Sequence, residues 1–238
     1  MITLKRMVHR AINKGILREN PFANFRCEQE DTTRKWLSKA ELDRIMHNPM
    51  ANPKAEQVRI LFIFSAFIGI SYADLCNLGY GNVSADGQGT VWIRIRRKKT
   101  GTQAIVPLIG IALDIYNKYR NLTIDGNDGN GKVFDVPCYG LVRTRLEEIR
   151  KAAGLDTLSF HMARHSFSTT VCLSNGVPIE TLSRMLGHKN ISTTQVYAKI
   201  TNQKVDEDMQ ILKKRLEGKY HFPQPDHLQT NLQKTAAI

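Results

Sequence analysis

Three short patterns bring together side chains that can handle protons and hold anions. His161-Met162-Ala163-Arg164 sets an imidazole and a guanidinium three residues apart, so on a helix they project from one face. Leu186-Gly187-His188 places a histidine at the mouth of a helix that Gly187 ends, and Tyr197 follows nine residues later. Lys98-Lys99-Thr100-Gly101 reads as a turn, and Arg94, Arg96, Arg97, Lys98 and Lys99 put five cations within six residues. A basic hairpin tip of this kind suits contact with phosphate. Taken singly, each pattern also has an ordinary reading. HxxR arises by chance, a histidine beyond a helix answers the helix dipole, and a basic turn is simply solvated.

The composition narrows the classes of function. The 238 residues are 42% hydrophobic and 24% charged. That is globular composition, which excludes wholesale disorder and allows one large domain, or one domain and part of a second. The most apolar stretch, Ile60 to Ile70, falls short of the ~18 residues a membrane span needs. Lysine and arginine number 34 against 22 acids, a formal net charge of +12. This argues against small cationic substrates and for a polyanion partner, most simply nucleic acid. Cys27, Cys76, Cys138 and Cys172 form neither a CxxC pair nor a Cys/His ligand cluster, so reduced thiols in a cytoplasm are expected and no metal site is. The opening MITLKRMVHR lacks the apolar core of a signal peptide.

The elements that must position these side chains are mostly helical. A helix is expected over 2–17, with Leu4, Met7, Val8, Ala11 and Ile12 on one face. Ser38 to Glu41 has the spacing of a capping box. Residues 54–68 form a long apolar helix broken at Gly69, and a short helix runs from Ser71 to Leu78. Turn signals at Asp86-Gly87 and Thr100-Gly101, with TVWIRIR alternating between them, predict a small antiparallel sheet of three strands over 79–108. Helices follow over 109–120, 139–153, 161–174, from Pro178 to Gly187, over 192–198 and over 203–217, with a Gly/Asn/Asp loop at 125–131. Val205, Met209, Leu212 and Leu216 make an apolar stripe on the last helix. In an isolated monomer this stripe is expected to pack on its own domain.

Order and spacing together carry more than each pattern alone. Lys-Thr-Gly on a hairpin, HxxR-His, Leu-Gly-His and then a tyrosine resemble the tyrosine recombinase (phage integrase) family, like the integrases of bacterial mobile elements. The resemblance spans Trp36 to Ile200, and HMARHSFSTT...NGVPIETLSRMLGHKNISTTQVYAKI over 161–200 is its most specific part. It implies an α+β, mainly α fold: a helical catalytic domain with a small antiparallel β-sheet. It also implies a layout. Residues 1–25 would be the C-terminal remnant of a core-binding domain, 26–35 a linker, 36–220 the catalytic domain and 221–238 a mobile tail.

The chemistry implied by the resemblance is cleavage and rejoining of duplex DNA through a 3′-phosphotyrosine, without metal, ATP or other cofactor. Tyr197 would attack the phosphodiester, and Arg164 would hold a non-bridging oxygen. His161 would assist in moving the proton, His188 would hydrogen-bond the phosphate, and Lys99 would protonate the 5′-hydroxyl leaving group. Arg94, Arg96, Lys98 and His165 would contact DNA. The partners implied are double-stranded DNA, further copies of the chain in a tetramer on paired sites, and accessory DNA-bending or excision proteins. No membrane is involved, and the setting would be a bacterial cytoplasm, at the nucleoid when DNA is bound.

One departure is plain. The family carries a first arginine in a segment like TGLRxxE/D-L. Here Ile68-Gly69-Ile70-Ser71-Tyr72-Ala73-Asp74-Leu75 has Ser71 in its place and keeps only the acid, Asp74. Arg97 is the candidate substitute, because two residues before Lys99 on a strand it shares a face with it. Two rival readings stay open: a DNA-binding remnant or regulator impaired in catalysis, and a type IB topoisomerase-like enzyme.

Overall fold

Helix α3, Pro53–Ile68, is apolar on nearly every side, and the fold is arranged around it. The computed structural model describes residues 2–25, 35–124, 131–197 and 202–219. The chain divides into two compact units, Met1–Lys35 and Trp36–Ile238. In the first, α1 (Ile2–Asn13) stops four residues earlier than its periodicity suggests, and Gly15 follows in a left-handed conformation at φ 69°. Val8 is buried, while Leu4 and Met7 are exposed.

In the second unit, α2 (Lys39–Met46) begins with the expected capping box. Ser38 accepts from the Glu41 N–H, and the Glu41 carboxylate takes the Ser38 N–H at 2.7 Å. Helix α3 starts at Asn52-Pro53 and ends at Gly69 in the left-handed region. A helix buried on all faces has little amphipathic pattern and must be covered by several partners. Here α5 (Ile111–Ile124), α6 (Tyr139–Ala152) and α7 (Phe160–Ser166) pack on it. Phe62 meets Phe160 edge-on, and Phe64 meets Phe134 likewise.

Between α4 (Tyr72–Leu75) and α5 lies the sheet, in the order β1 (Val83–Ala85), β2 (Val91–Arg96), β3 (Gln103–Leu108), all antiparallel. Ile93 pairs with Val106 and Ile95 with Ala104, so the odd-numbered residues of β2 face the core. The hairpin closes with the Arg97 N–H on the Thr102 carbonyl at 2.9 Å.

The segment expected as one helix from 161 to 174 is not uniform. Helix α7 passes into a wider π-helical turn at Phe167–Cys172 and a 3₁₀ turn at Leu173–Asn175 before Gly176. The cause is visible in its hydroxyls. Ser166, Ser168 and Thr169 donate to the carbonyls of Met162, Arg164 and His165 at 2.8, 2.9 and 2.8 Å, competing with the backbone ladder. Helix α8 (Ile179–Leu186) then ends at Gly187, and α9 (Ser192–Gln195) leads to Tyr197.

Helix α10 (Asn202–Leu216) corrects one expectation. Met209, Leu212 and Leu216 are exposed, so among the described residues nothing of the chain's own domain covers them. The loop at 125–130 and the tail beyond 219 lie outside the described residues, as does the side chain of Val205.

Candidate active site

Arg164 is the centre of the site. It sits on α7 and is only 4% exposed. Nη1 donates to the Gly69 carbonyl at 2.6 Å, and Nη2 donates to the Leu186 carbonyl at 2.7 Å. Both carbonyls are helix ends left unpaired by the ladder, and both precede or belong to a left-handed glycine. Nη2 also lies 3.1 Å from His188 Nε2. Arginine only donates, so Nε2 must accept; the His188 proton then sits on Nδ1, 2.8 Å from Thr194 Oγ1. Three local signals, Gly69, Gly187 and the buried Thr194, thus fix one guanidinium and one imidazole.

Arg97 completes the charged cluster. Its side chain is 10% exposed and follows Ile93 and Ile95 on the inward face, one residue past the end of β2. Nε faces Asp74 Oδ2 at 3.4 Å, and Nη1 donates to the same Leu186 carbonyl that Arg164 uses, at 3.3 Å. Ser71 caps α4 and donates to Asp74 Oδ2 at 2.6 Å. Ser71 and Arg97 therefore converge on one carboxylate oxygen. Asp74 Oδ1 accepts the Lys98 N–H at 3.0 Å, tying the hairpin to α4. Arg59, the rival on α3, is occupied elsewhere. It donates to Glu56 and to the carbonyls of Ile45 and Met46.

Burial, and after it the like charge of Arg97, lowers the Arg164 guanidinium from its ordinary 12.5 to about 10. The Tyr197 phenol and Asp74 act in the opposite sense. Arg164 stays charged at neutral pH. With two guanidinium groups and one carboxylate, the cluster is short of negative charge, which is the condition of a site that receives an anion.

The remaining expected residues are distributed around this centre. The Tyr197 hydroxyl is buried with its ring, which is 6% exposed, and lies 2.8 Å from His165 Nδ1. His165, expected among the DNA contacts, is itself 6% exposed and turned inward; four residues after His161 on the helix, it packs between that ring and Tyr197. His161 is exposed and meets His165 edge-on. Lys99 stands exposed at the hairpin tip, outside the cluster. Arg94, Arg96 and Lys98 are exposed too. Arg94 lies over the Trp92 ring and bonds Ser84 Oγ. Among the described residues, no three His, Cys, Asp or Glu side chains are grouped to hold a metal ion. Cys76, Cys138 and Cys172 are unpaired as disulfides.

Gly187 is the tightest point. At φ 60° a Cβ there would lie 2.9 Å from Arg97 Cδ, 3.0 Å from Ala104 Cβ and 3.1 Å from the Gln103 carbonyl. Gly187→Ala is expected to lower stability by about 1–2 kcal/mol through the left-handed backbone alone and to push Arg97 off the Leu186 carbonyl. Thermal unfolding and the cleavage rate report the two effects separately. Unchanged values of both would show that the contact is slack.

The phage integrase family matches residues 35–204. The chain belongs to this family. Among curated relatives of the family, the tyrosine recombinase XerA of Thermococcus onnurineus is 28% identical over 182 residues, covering 70% of this chain and 58% of the relative. XerA of Saccharolobus solfataricus is 36% identical over 105 residues, 44% of this chain and 34% of the relative. XerD of Oceanobacillus iheyensis is 28% identical over 221 residues, 82% of this chain and 70% of the relative. The chain thus spans less than two thirds of the XerA relatives it matches. Solved family structures share the fold. A lambda integrase(75-356) dimer bound to a core site aligns with TM-score 0.65 at 19% identity, over 84% of this chain and 72% of that one. The Tn1549 transposon integrase in complex with circular intermediate DNA aligns with TM-score 0.64 at 18% identity, over 87% and 76%. The helical domain with its small three-stranded sheet is the family's catalytic fold.

Proposed function

We propose that the chain carries the catalytic domain of a site-specific DNA recombinase, over 36–220, which cleaves and rejoins duplex DNA through a 3′-phosphotyrosine at Tyr197. One observation carries the reading: a buried tyrosine hydroxyl and two buried guanidinium groups share one site that lacks an anion. Arg164 and Arg97 hold the non-bridging oxygens and stabilise the charge that builds on phosphorus. His188, fixed by Thr194, orients that pair. Lys99, on a hairpin anchored by Asp74, reaches the leaving 5′ oxygen once DNA lies across the domain. Energy of the broken bond is kept in the phosphotyrosine, so rejoining needs no external source.

The exposed Arg94, Arg96 and Lys98, with the net charge of +12, support phosphate contacts along the duplex. Binding is therefore expected to weaken about 10³–10⁵-fold between 50 and 200 mM salt if six to ten phosphates are met. Equal affinity at both salts, measured by fluorescence anisotropy, would remove the nucleic-acid reading. Residues 1–25 serve as the end of a core-binding domain, 26–35 as the linker, and 221–238 as a tail. The exposed stripe of α10 supports docking on a second copy, in a tetramer on paired sites, which the mass of the DNA-bound complex reports. Integration of a bacterial mobile element, with accessory DNA-bending proteins, is the setting we favour, in the cytoplasm and on the nucleoid. Among the described residues no helix is long and apolar enough to cross a membrane.

The test is trapping. A nicked duplex that loses its short leaving strand after cleavage should leave this chain covalently bound to DNA through tyrosine. Tight binding without any adduct would favour the regulator reading. Relaxation of supercoiled DNA that lacks a cognate site would favour the topoisomerase-like one.

A further inference from the structure

We propose that His165 takes the phenolic proton of Tyr197 as its oxygen attacks phosphorus, and returns it on rejoining. The proposal rests on the recombinase reading above. A phenol with an ordinary pKa near 10 is ionised in only about one molecule in a thousand at pH 7. Burial makes ionisation harder still. Attack at neutral pH therefore needs an acceptor in contact with the hydroxyl itself. His165 Nδ1 is 2.8 Å from that oxygen, within the reach required of a general base. Both side chains are 6% exposed, so bulk water does not compete freely for the proton.

The other candidate groups are placed for different work. His188 Nε2 faces the Arg164 guanidinium and its Nδ1 faces Thr194. Protonating Nε2 would set two cations against each other. His161 is exposed at the start of α7 and reaches the His165 ring edge-on, at 4.2 Å between centroids. Lys99 is exposed on the hairpin. His165 alone of these four has a ring nitrogen at a described hydrogen-bond distance from the Tyr197 oxygen.

The step balances. With Nε2 carrying its proton, the Nδ1 lone pair is open to accept. The Tyr197 O–H bond breaks and its proton passes to Nδ1. The phenolic oxygen forms the bond to phosphorus, and the bond from phosphorus to the 5′ oxygen breaks. That oxygen leaves protonated by the acid on its side, Lys99 in the scheme above. His165 is then an imidazolium beside the phosphotyrosine. In rejoining, the 5′ hydroxyl attacks, the phenolic oxygen leaves, and Nδ1 gives the proton back. Thr169, whose hydroxyl holds the His165 carbonyl at 2.8 Å, fixes the backbone beneath the ring.

The test uses the full chain and a library of nicked duplexes with a randomised crossover region, scored for covalent attachment at saturating DNA. His165→Asn keeps a polar atom near the Nδ1 position but accepts no proton. Its attachment rate is expected to fall about 10²–10⁴-fold, the range of general-base assistance. Placing difluorotyrosine at 197, a phenol already largely ionised at neutral pH, should return His165→Asn to within tenfold of the unaltered histidine. A penalty of equal size with both phenols would mean that His165 only packs against the ring, and would overturn the proposal. So would attachment by His165→Asn within a few-fold of the parent. His165→Gln repeats the comparison if the Asn variant does not fold. Failure of the parent chain to attach to any member of the library, while still binding duplex, sinks the recombinase reading and this proposal together. Attachment by the parent with an unaffected His165→Asn sinks this proposal alone.

Discussion

Tyr197→Phe is expected to bind duplex DNA as the parent chain does and to form no covalent complex with it. The substitution removes one hydroxyl and keeps the ring, which belongs to the buried core. The lost hydrogen bond to His165 is worth about 1 kcal/mol, too little to unfold a domain of this size. The exposed cations of the hairpin are untouched, so affinity should hold. Other tyrosines are not placed to substitute. The Tyr72 hydroxyl donates to the Pro137 carbonyl at 2.7 Å, and burial, with a hydrogen bond to Cys76, pushes it up to about 12. Tyr116 is packed in the core. Denaturing electrophoresis of labelled DNA gives the answer; an adduct that persists in the Phe variant would place the nucleophile elsewhere.

Arg97→Ala is expected to cost cleavage nearly as much as Arg164→Ala, about 10²–10³-fold, the loss seen when one donor to a developing oxyanion is removed. The case rests on where the side chain lies. Position 71, where the family has its first arginine, and Arg97 both reach Asp74 Oδ2, and Arg97 shares the Leu186 carbonyl with Arg164. A guanidinium has moved from the start of α4 to the end of β2, and its terminus has stayed in place. Ser71→Arg in the Arg97→Ala background should therefore recover part of the rate, at the expense of the serine cap on α4, which costs about 1 kcal/mol when lost. Arg97→Lys, which keeps the charge and loses the planar fork, should recover less. Because removing Arg97 leaves Asp74 buried without this partner, thermal unfolding must be followed beside the rate. Cleavage by a folded Arg97→Ala protein within a few-fold of the parent would retire the role.

Much of this architecture is legible in local sequence, because its signals act over a turn or less. Ser38 and Glu41, Asn52-Pro53, Gly69 and Gly187 each mark a helix end by chemistry that does not depend on the rest of the fold. The alternation of β2 is equally local, and it correctly turned Arg97 inward with Ile93 and Ile95. What was not legible depends on contacts between distant segments. Nothing near Leu186 announces that its carbonyl will hold two guanidinium groups from α7 and the hairpin. His165 follows Arg164 directly, and its basic neighbours suggest a DNA contact; only the approach of Tyr197, 32 residues later, turns it into a partner of the nucleophile. The α10 stripe misled for the opposite reason, since amphipathic spacing states that a cover is needed and not which molecule supplies it.

The π-helical turn at Phe167–Cys172 governs how the chain can change length. A π turn holds one residue more than an α turn over the same rise. Loss of a single residue there would let the backbone close to ordinary pitch, at no cost in hydrophobicity. Everything downstream would then be rotated by about 100° relative to α7. That rotation would carry the Leu186 carbonyl, His188 and Tyr197 away from Arg164 and His165 as one block. Lengthening or shortening is thus barred in a segment that touches no substrate, and the active site's geometry is written partly as a residue count between its two halves.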